Sequence, residues 1–113
     1  MKKIKITSTK SEQQALFELL NVFYSKRQEL TADDITYIMD FHFIKGILKK
    51  LMTRLTNNDH EPDNKKMKVS YHPAEAVALL RMVHFFETEQ LPFSAYYTNV
   101  LTSYNLRIDQ ALA

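Results

Sequence analysis

Polar and apolar residues alternate from Lys3 to Thr7, and a helical spacing of apolar positions then takes over for most of the chain. Ile4 and Ile6, set between Lys3, Lys5 and Thr7, have the period of a strand with one buried face. Thr9 and Ser11 offer helix N-caps, and Glu12 and Gln14 stand three residues beyond them at capping-box spacing. Ala15, Leu16, Leu19, Leu20 and Phe23 predict a first helix that ends near Tyr24. The polar stretch Ser25 to Glu29 interrupts the pattern. Leu30 and Thr31 then read as staple and N-cap of a second helix, with Asp33 and Asp34 well placed in its first turn.

That second helix carries its apolar pattern to about Leu55, far beyond an average helix length. Its stripe also changes face. Ile44, Ile47, Leu48, Leu51 and Leu55 lie opposite Lys45, Lys49, Lys50 and Thr53, whereas Ile35, Tyr37, Ile38, Met39, Phe41 and Phe43 run most of the way round. This predicts either a break between Asp40 and Gly46 or a helix start covered by two layers, the second of which could be another subunit. Asn57 to Asn64 reads as a linker and Lys66 to Tyr71 as a second strand. His72-Pro73 opens a third helix through Val77, Leu79, Leu80, Met82, Val83, Phe85 and Phe86, which Leu91-Pro92 ends. Ser94 caps a fourth helix that passes through Val100, Leu101, Tyr104 and Ile108.

Residues 2–32 also align without a gap on residues 65–95, at an offset of 63, with 8 identities in 31 positions. Glu12 falls on Glu75, Ala15-Leu16 on Ala78-Leu79 and Phe23 on Phe86. Three of the eight identities are lysines in a lysine-rich chain, so duplication and coincidence both stay open. The expected fold is mostly α, one domain over residues 1–113, with about four helices in a compact bundle. Two βαα pseudo-repeats, 2–56 and 65–110, joined by linker 57–64 and sharing a short two-stranded ribbon, are the more specific form of that expectation.

Composition narrows the function classes. There is no cysteine, which removes disulfide frameworks and thiolate metal sites and fits a reducing compartment. The single glycine, Gly46, leaves no material for a phosphate-binding loop or a dinucleotide fingerprint. Net charge is only +2, too small for a global field to dictate the partner. Met1-Lys2-Lys3 imitates the basic opening of a signal peptide, but no apolar core follows it, so the chain reads as soluble and cytoplasmic with no membrane partner. No two of the four histidines stand four residues apart, as a metal pair on one helical face requires, and His84 reads as a core-edge residue. The acidic stretch Asp59 to Asp63 departs from calcium-loop spacing and reads as solvated linker. Neither a nucleophile elbow nor a cysteine nucleophile is present. No metal, cofactor, catalytic residue or small-molecule ligand is expected.

Two surfaces remain. Strand alternation turns Ile4, Ile6, Met67 and Val69 inward and Lys3, Lys5, Thr7, Lys66, Lys68 and Ser70 outward. A two-stranded ribbon fits a DNA major groove, where lysines and hydroxyls read base edges. This order of elements resembles the ribbon–helix–helix DNA-binding family in tandem single-chain form, over Lys2–Ile44 and Lys65–Ile108. The resemblance implies that the strands pair into a ribbon and that the N-terminus of each second helix holds a phosphate. Those N-termini would be Thr31-Ala32-Asp33-Asp34, whose carboxylates repel phosphate, and Ser94-Ala95-Tyr96-Tyr97, which lacks that charge. Edge strands also carry lysine simply to deter aggregation. A second basic cluster, Lys45, Lys49, Lys50 and Arg54, reads as a solvated helix face. The other surface is the tyrosine-rich fourth helix together with the over-apolar start of the second. Ile35, Met39, Phe43, Tyr96, Tyr97 and Tyr104 are therefore candidates for a protein interface. The leading expectation is a non-enzymatic interaction or regulatory module that acts through protein–protein contacts, with itself or another protein as partner, as a homo-oligomer. DNA binding through the ribbon is the first alternative, and an enzyme without a sequence-visible site the second.

Overall fold

The computed structural model describes residues 3–33, 36–89 and 94–113, with the side chains of 31–36 left aside. Strand β1 (Ile4–Thr9) leads into helix α1 (Lys10–Ser25), a short helix α2 (Arg27–Asp33) and the long helix α3 (Thr36–Asn57). Strand β2 (Lys66–Tyr71) is then followed by α4 (Pro73–Glu89) and α5 (Ala95–Leu112). The strands form one antiparallel ribbon in which Ile4 faces Tyr71, Ile6 faces Val69 and Ser8 faces Met67. These six side chains point inward and are buried, together with the apolar faces of the helices. The fold is the expected one, mostly α with a short ribbon.

The two halves do the same things with corresponding residues. Ile6 pairs with Val69, its counterpart 63 residues on, so the ribbon register is that of a twofold relation centred on this pair. All six residues buried in α1 (Gln13, Ala15, Leu16, Leu19, Leu20 and Phe23) have counterparts 63 residues on that are buried in α4. Phe23 and Phe86, also counterparts, meet edge-on at a centroid distance of 6.1 Å. Glu12 accepts a hydrogen bond from the backbone of Thr9 at 3.0 Å, completing a capping box. Glu75 accepts the equivalent bond from the backbone of His72 at 2.8 Å. In the long helices the matching offset is 57. Ile44, Ile47 and Leu51 of α3 answer to Leu101, Tyr104 and Ile108 of α5, and all six are buried. The shorter offset reflects additional residues in the first half, where α2 lies.

The helical layout differs from the expected one, with five helices among the described residues instead of about four. Ser25 to Glu29 is not an interruption of helix but, beyond Lys26, the start of α2, and Leu30 and Thr31 lie within it instead of capping the long helix. Helix α3 is unbroken across Asp40–Gly46 and runs for 22 residues, about 33 Å at 1.5 Å per residue. A mid-helix glycine costs only about 1 kcal/mol, and the buried anchors Ile44, Ile47 and Leu51 outweigh it. The over-apolar start of α3 is covered only in part. Phe41 stacks on Phe23 of α1 at 4.8 Å and Tyr37 and Phe43 are half-buried against the core, whereas Ile38 and Met39 stay exposed.

The linker is also more ordered than a solvated one. Asp63 and Lys65 use their carbonyls to accept the first backbone N–H groups of α1, those of Ser11 and Lys10. Lys10 Nζ in turn donates to the carbonyls of Asp59 and Glu61, both at 2.8 Å. The linker therefore satisfies donors that a helix N-terminus otherwise leaves open.

Tyr104 crosses the core to hydrogen-bond with Ser8 of β1 at 2.7 Å. Burial pushes its phenol up to about 12, and burial also raises that of Tyr71. Unfolded tyrosine titrates near 10, so between pH 10 and 12 the folded chain holds a proton that the unfolded chain loses. The stabilisation is complete below pH 10 and disappears as pH rises through 12. Tyr104 alone should remove about 2–3 kcal/mol over that window, as urea denaturation at successive pH values would show. In Tyr104→Phe the alkaline decline should be correspondingly shallower, the remainder coming from Tyr71.

Candidate nucleic-acid interface

The outer face of the ribbon is built by strand alternation alone. With Ile4, Ile6 and Ser8 held in the core, Lys3, Lys5 and Thr7 must point to solvent, and all three are exposed. On β2, Lys66 and Lys68 are exposed and Ser70 is half-buried. The antiparallel register sets three of the lysines opposite hydroxyls: Lys5 faces Ser70, Lys68 faces Thr7 and Lys66 faces Thr9. Lysines are thus staggered across the ribbon, and like charges do not oppose one another directly. No acidic residue occurs in 3–9 or 65–72. All six residues expected on this face are brought together on it.

Two cations clamp the ribbon from its flanks. Arg107 of α5 donates to the Thr7 carbonyl at 2.8 Å and pairs with Glu12 at 3.5 Å. Lys50 of α3 donates to the Ser70 carbonyl at 2.7 Å and pairs with Glu75 at 3.0 Å. Lys50 also lies 5.2 Å over the ring of Tyr71. Thr7 and Ser70 are counterparts, as are Glu12 and Glu75, so the long helix of each half holds the other half's strand in the same way. Of the basic cluster on α3, Lys50 is half-buried and structural, whereas Lys45, Lys49 and Arg54 are exposed.

The residues expected at a protein interface are placed unevenly. Tyr104 is 1% exposed and belongs to the core, where its ring and hydroxyl are both used. Tyr96 is exposed and Tyr97 half-buried, but their hydroxyls hydrogen-bond to Ser11 and Glu18 and dock α5 on α1. The Glu18 carboxylate raises the Tyr97 phenol above its ordinary value. Phe43 is half-buried against the core, and Ile35 falls outside the described residues. Met39, 60% exposed, stays on the surface beside Ile38. His84 is exposed on α4 rather than tucked at the core edge.

The helix N-termini implied by the resemblance are placed unevenly. Ser94 caps α5 in position, with no side-chain capping bond, and is exposed. Thr31 to Asp33 sit in α2, and residue 34 falls outside the described residues. Among the described residues, no three His, Asp or Glu side chains gather to hold a metal, and no helix is long and apolar enough to cross a membrane. Comparison with protein families, curated proteins and solved structures finds no match to this chain.

Proposed function

We propose that this chain is a cytoplasmic double-stranded DNA-binding module that lays the β1–β2 ribbon into a major groove, and that it consists of two copies of one strand–helix–helix unit in a single polypeptide. One observation carries this reading: lysines and hydroxyls alternate across the outer face of a ribbon whose register is centred on Ile6 and Val69. A two-stranded ribbon has the width the major groove admits, lysine suits the O6 and N7 acceptors of guanine, and serine and threonine suit several base edges. The clamps from Arg107 and Lys50 support it further, because they fix the strands before any partner arrives.

Salt dependence of binding to a labelled duplex tests the reading. With Lys3, Lys5, Lys66 and Lys68 on DNA, log Kd against log salt should have a slope of about 3–4 in magnitude. Non-specific duplex should bind with Kd of about 1–100 µM at physiological salt. Absence of binding at low salt, or a slope near zero, would overturn the proposal. Ile38 and Met39, adjacent and exposed near the start of α3, favour protein contact as the second reading, and sedimentation at micromolar concentration would reveal self-association through them.

A further inference from the structure

Each edge of the ribbon is held by one cation. Lys50 and Arg107 are counterparts at the offset of 57, and each donates to a strand carbonyl and pairs with a carboxylate. Two further cations beside Lys50 are not repeated. At the same offset Lys49 falls on Leu106 and Arg54 on Ala111, so α5 holds β1 without them. Among the described residues neither Lys49 nor Arg54 forms an ion pair, and the side chains of Thr53 and Asn57 make no hydrogen bond. With Lys50 and Asn58 these four line a cavity of about 480 Å³ that has no carboxylate in its walls. Lys45, exposed on the same helix, lies outside it.

We infer that this cavity binds a phosphate-bearing small molecule, held by Lys49, Lys50 and Arg54. Its volume lies in the range of small-molecule sites, which span about 300–1,000 Å³. A guanidinium matches two phosphate oxygens at once, and an ammonium adds a point charge. The Lys50 ammonium has three N–H donors, and Ser70 and Glu75 engage two of them, which leaves one for a ligand. Thr53 and Asn57 supply a hydroxyl and an amide that can donate to further oxygens. Two groups oppose an anion: Glu75, which shares Lys50, and the carbonyl end of α3, worth about half a negative charge. Three whole positive charges stand against them, and Asn58 covers one end carbonyl by donating to that of Arg54 at 2.8 Å. The cavity therefore stays net positive. The DNA backbone is a poorer occupant, because a duplex along the twofold ribbon meets both flanks alike and these cations line one flank alone. The inference does not depend on DNA binding.

Titration of the full chain with pyrophosphate at constant ionic strength, followed by amide chemical shifts, tests it, with sodium chloride as the control. Pyrophosphate should shift the resonances of Lys49 to Asn58, and that of Ser70 through Lys50, with Kd of about 1 mM as expected for so small a ligand. Chloride should not. Arg54→Ala should weaken pyrophosphate at least about tenfold, the loss of a charged, bidentate contact. Arg54 is exposed, so that variant should keep the fold. Lys45→Ala removes the same charge from outside the cavity and should change the affinity by less than about twofold. No shift at millimolar pyrophosphate, equal losses in the two variants, or shifts that vanish in Lys5→Ala with Lys68→Ala would overturn the inference. So would an Arg54→Ala variant that loses duplex DNA as strongly as pyrophosphate, since the cavity would then serve the DNA backbone.

Discussion

Replacing Lys5 and Lys68 together with alanine should weaken binding to duplex DNA by about 100-fold or more at fixed salt, taking each groove contact at 1–3 kcal/mol. The two lysines are counterparts 63 residues apart, and each stands opposite a hydroxyl on the other strand. Both are exposed, so the folded state should be altered by no more than about 0.5 kcal/mol. The loss therefore reports on the interface and not on folding. Lys45→Ala with Lys49→Ala removes the same charge from exposed positions on α3 and serves as the control. That pair should cost less than about threefold, the effect of diffuse charge screened by salt. Equal losses in the two double variants would mean that DNA senses only overall charge, and the ribbon reading would fall. Fluorescence anisotropy with one labelled duplex at one ionic strength measures all of these.

Phe23→Ala should destabilise the fold by about 4 kcal/mol, the middle of the range for truncating a buried phenylalanine. Its ring is fully buried and touches Tyr37, Phe41, Phe85 and Phe86 at centroid distances of 6.3, 4.8, 5.3 and 6.1 Å. Truncation leaves a cavity where α1, α3 and α4 meet, so no one helix can shift to close it. Urea denaturation should show the full loss, and the melting temperature should fall by about 15 °C or more. Phe86→Ala, at the counterpart position, should cost a similar amount. Ile38→Ala, on the surface, should change stability by less than about 0.5 kcal/mol.

Much of this architecture could be read from residue spacing. Strand alternation assigns Ile4, Ile6, Met67 and Val69 inward and the lysines outward, because a period of two leaves only one way to bury those four apolar residues. Helical spacing likewise found the buried faces of α1 and α4. Reasoning along the chain failed where partners lie far apart. Arg107 reaches a carbonyl 100 residues away, and Tyr96 meets Ser11 across 85. Nothing local marks either side chain as a clamp or a dock. The tyrosines of α5 suggest a surface because tyrosine is enriched at interfaces, whereas the fold gives three of their hydroxyls partners within the chain. The face change in α3 suggests a second layer whose source is not visible locally, because α4, which packs beside it, begins 16 residues after α3 ends. Only the pairing of Glu12 with Glu75 in the internal alignment hinted at a shared role, which proves to be the reach back to the strand end.

Because both strands of the ribbon belong to one polypeptide, the pairing of Ile6 with Val69 does not depend on concentration. A ribbon shared between separate molecules dissolves on dilution, and the energy of association is then drawn from the partner's binding. Here the second strand is held by an intervening chain of 56 residues between Thr9 and Lys66, so its local concentration is fixed by the covalent link. Occupancy of any target should therefore follow a simple hyperbola down to the lowest copy number.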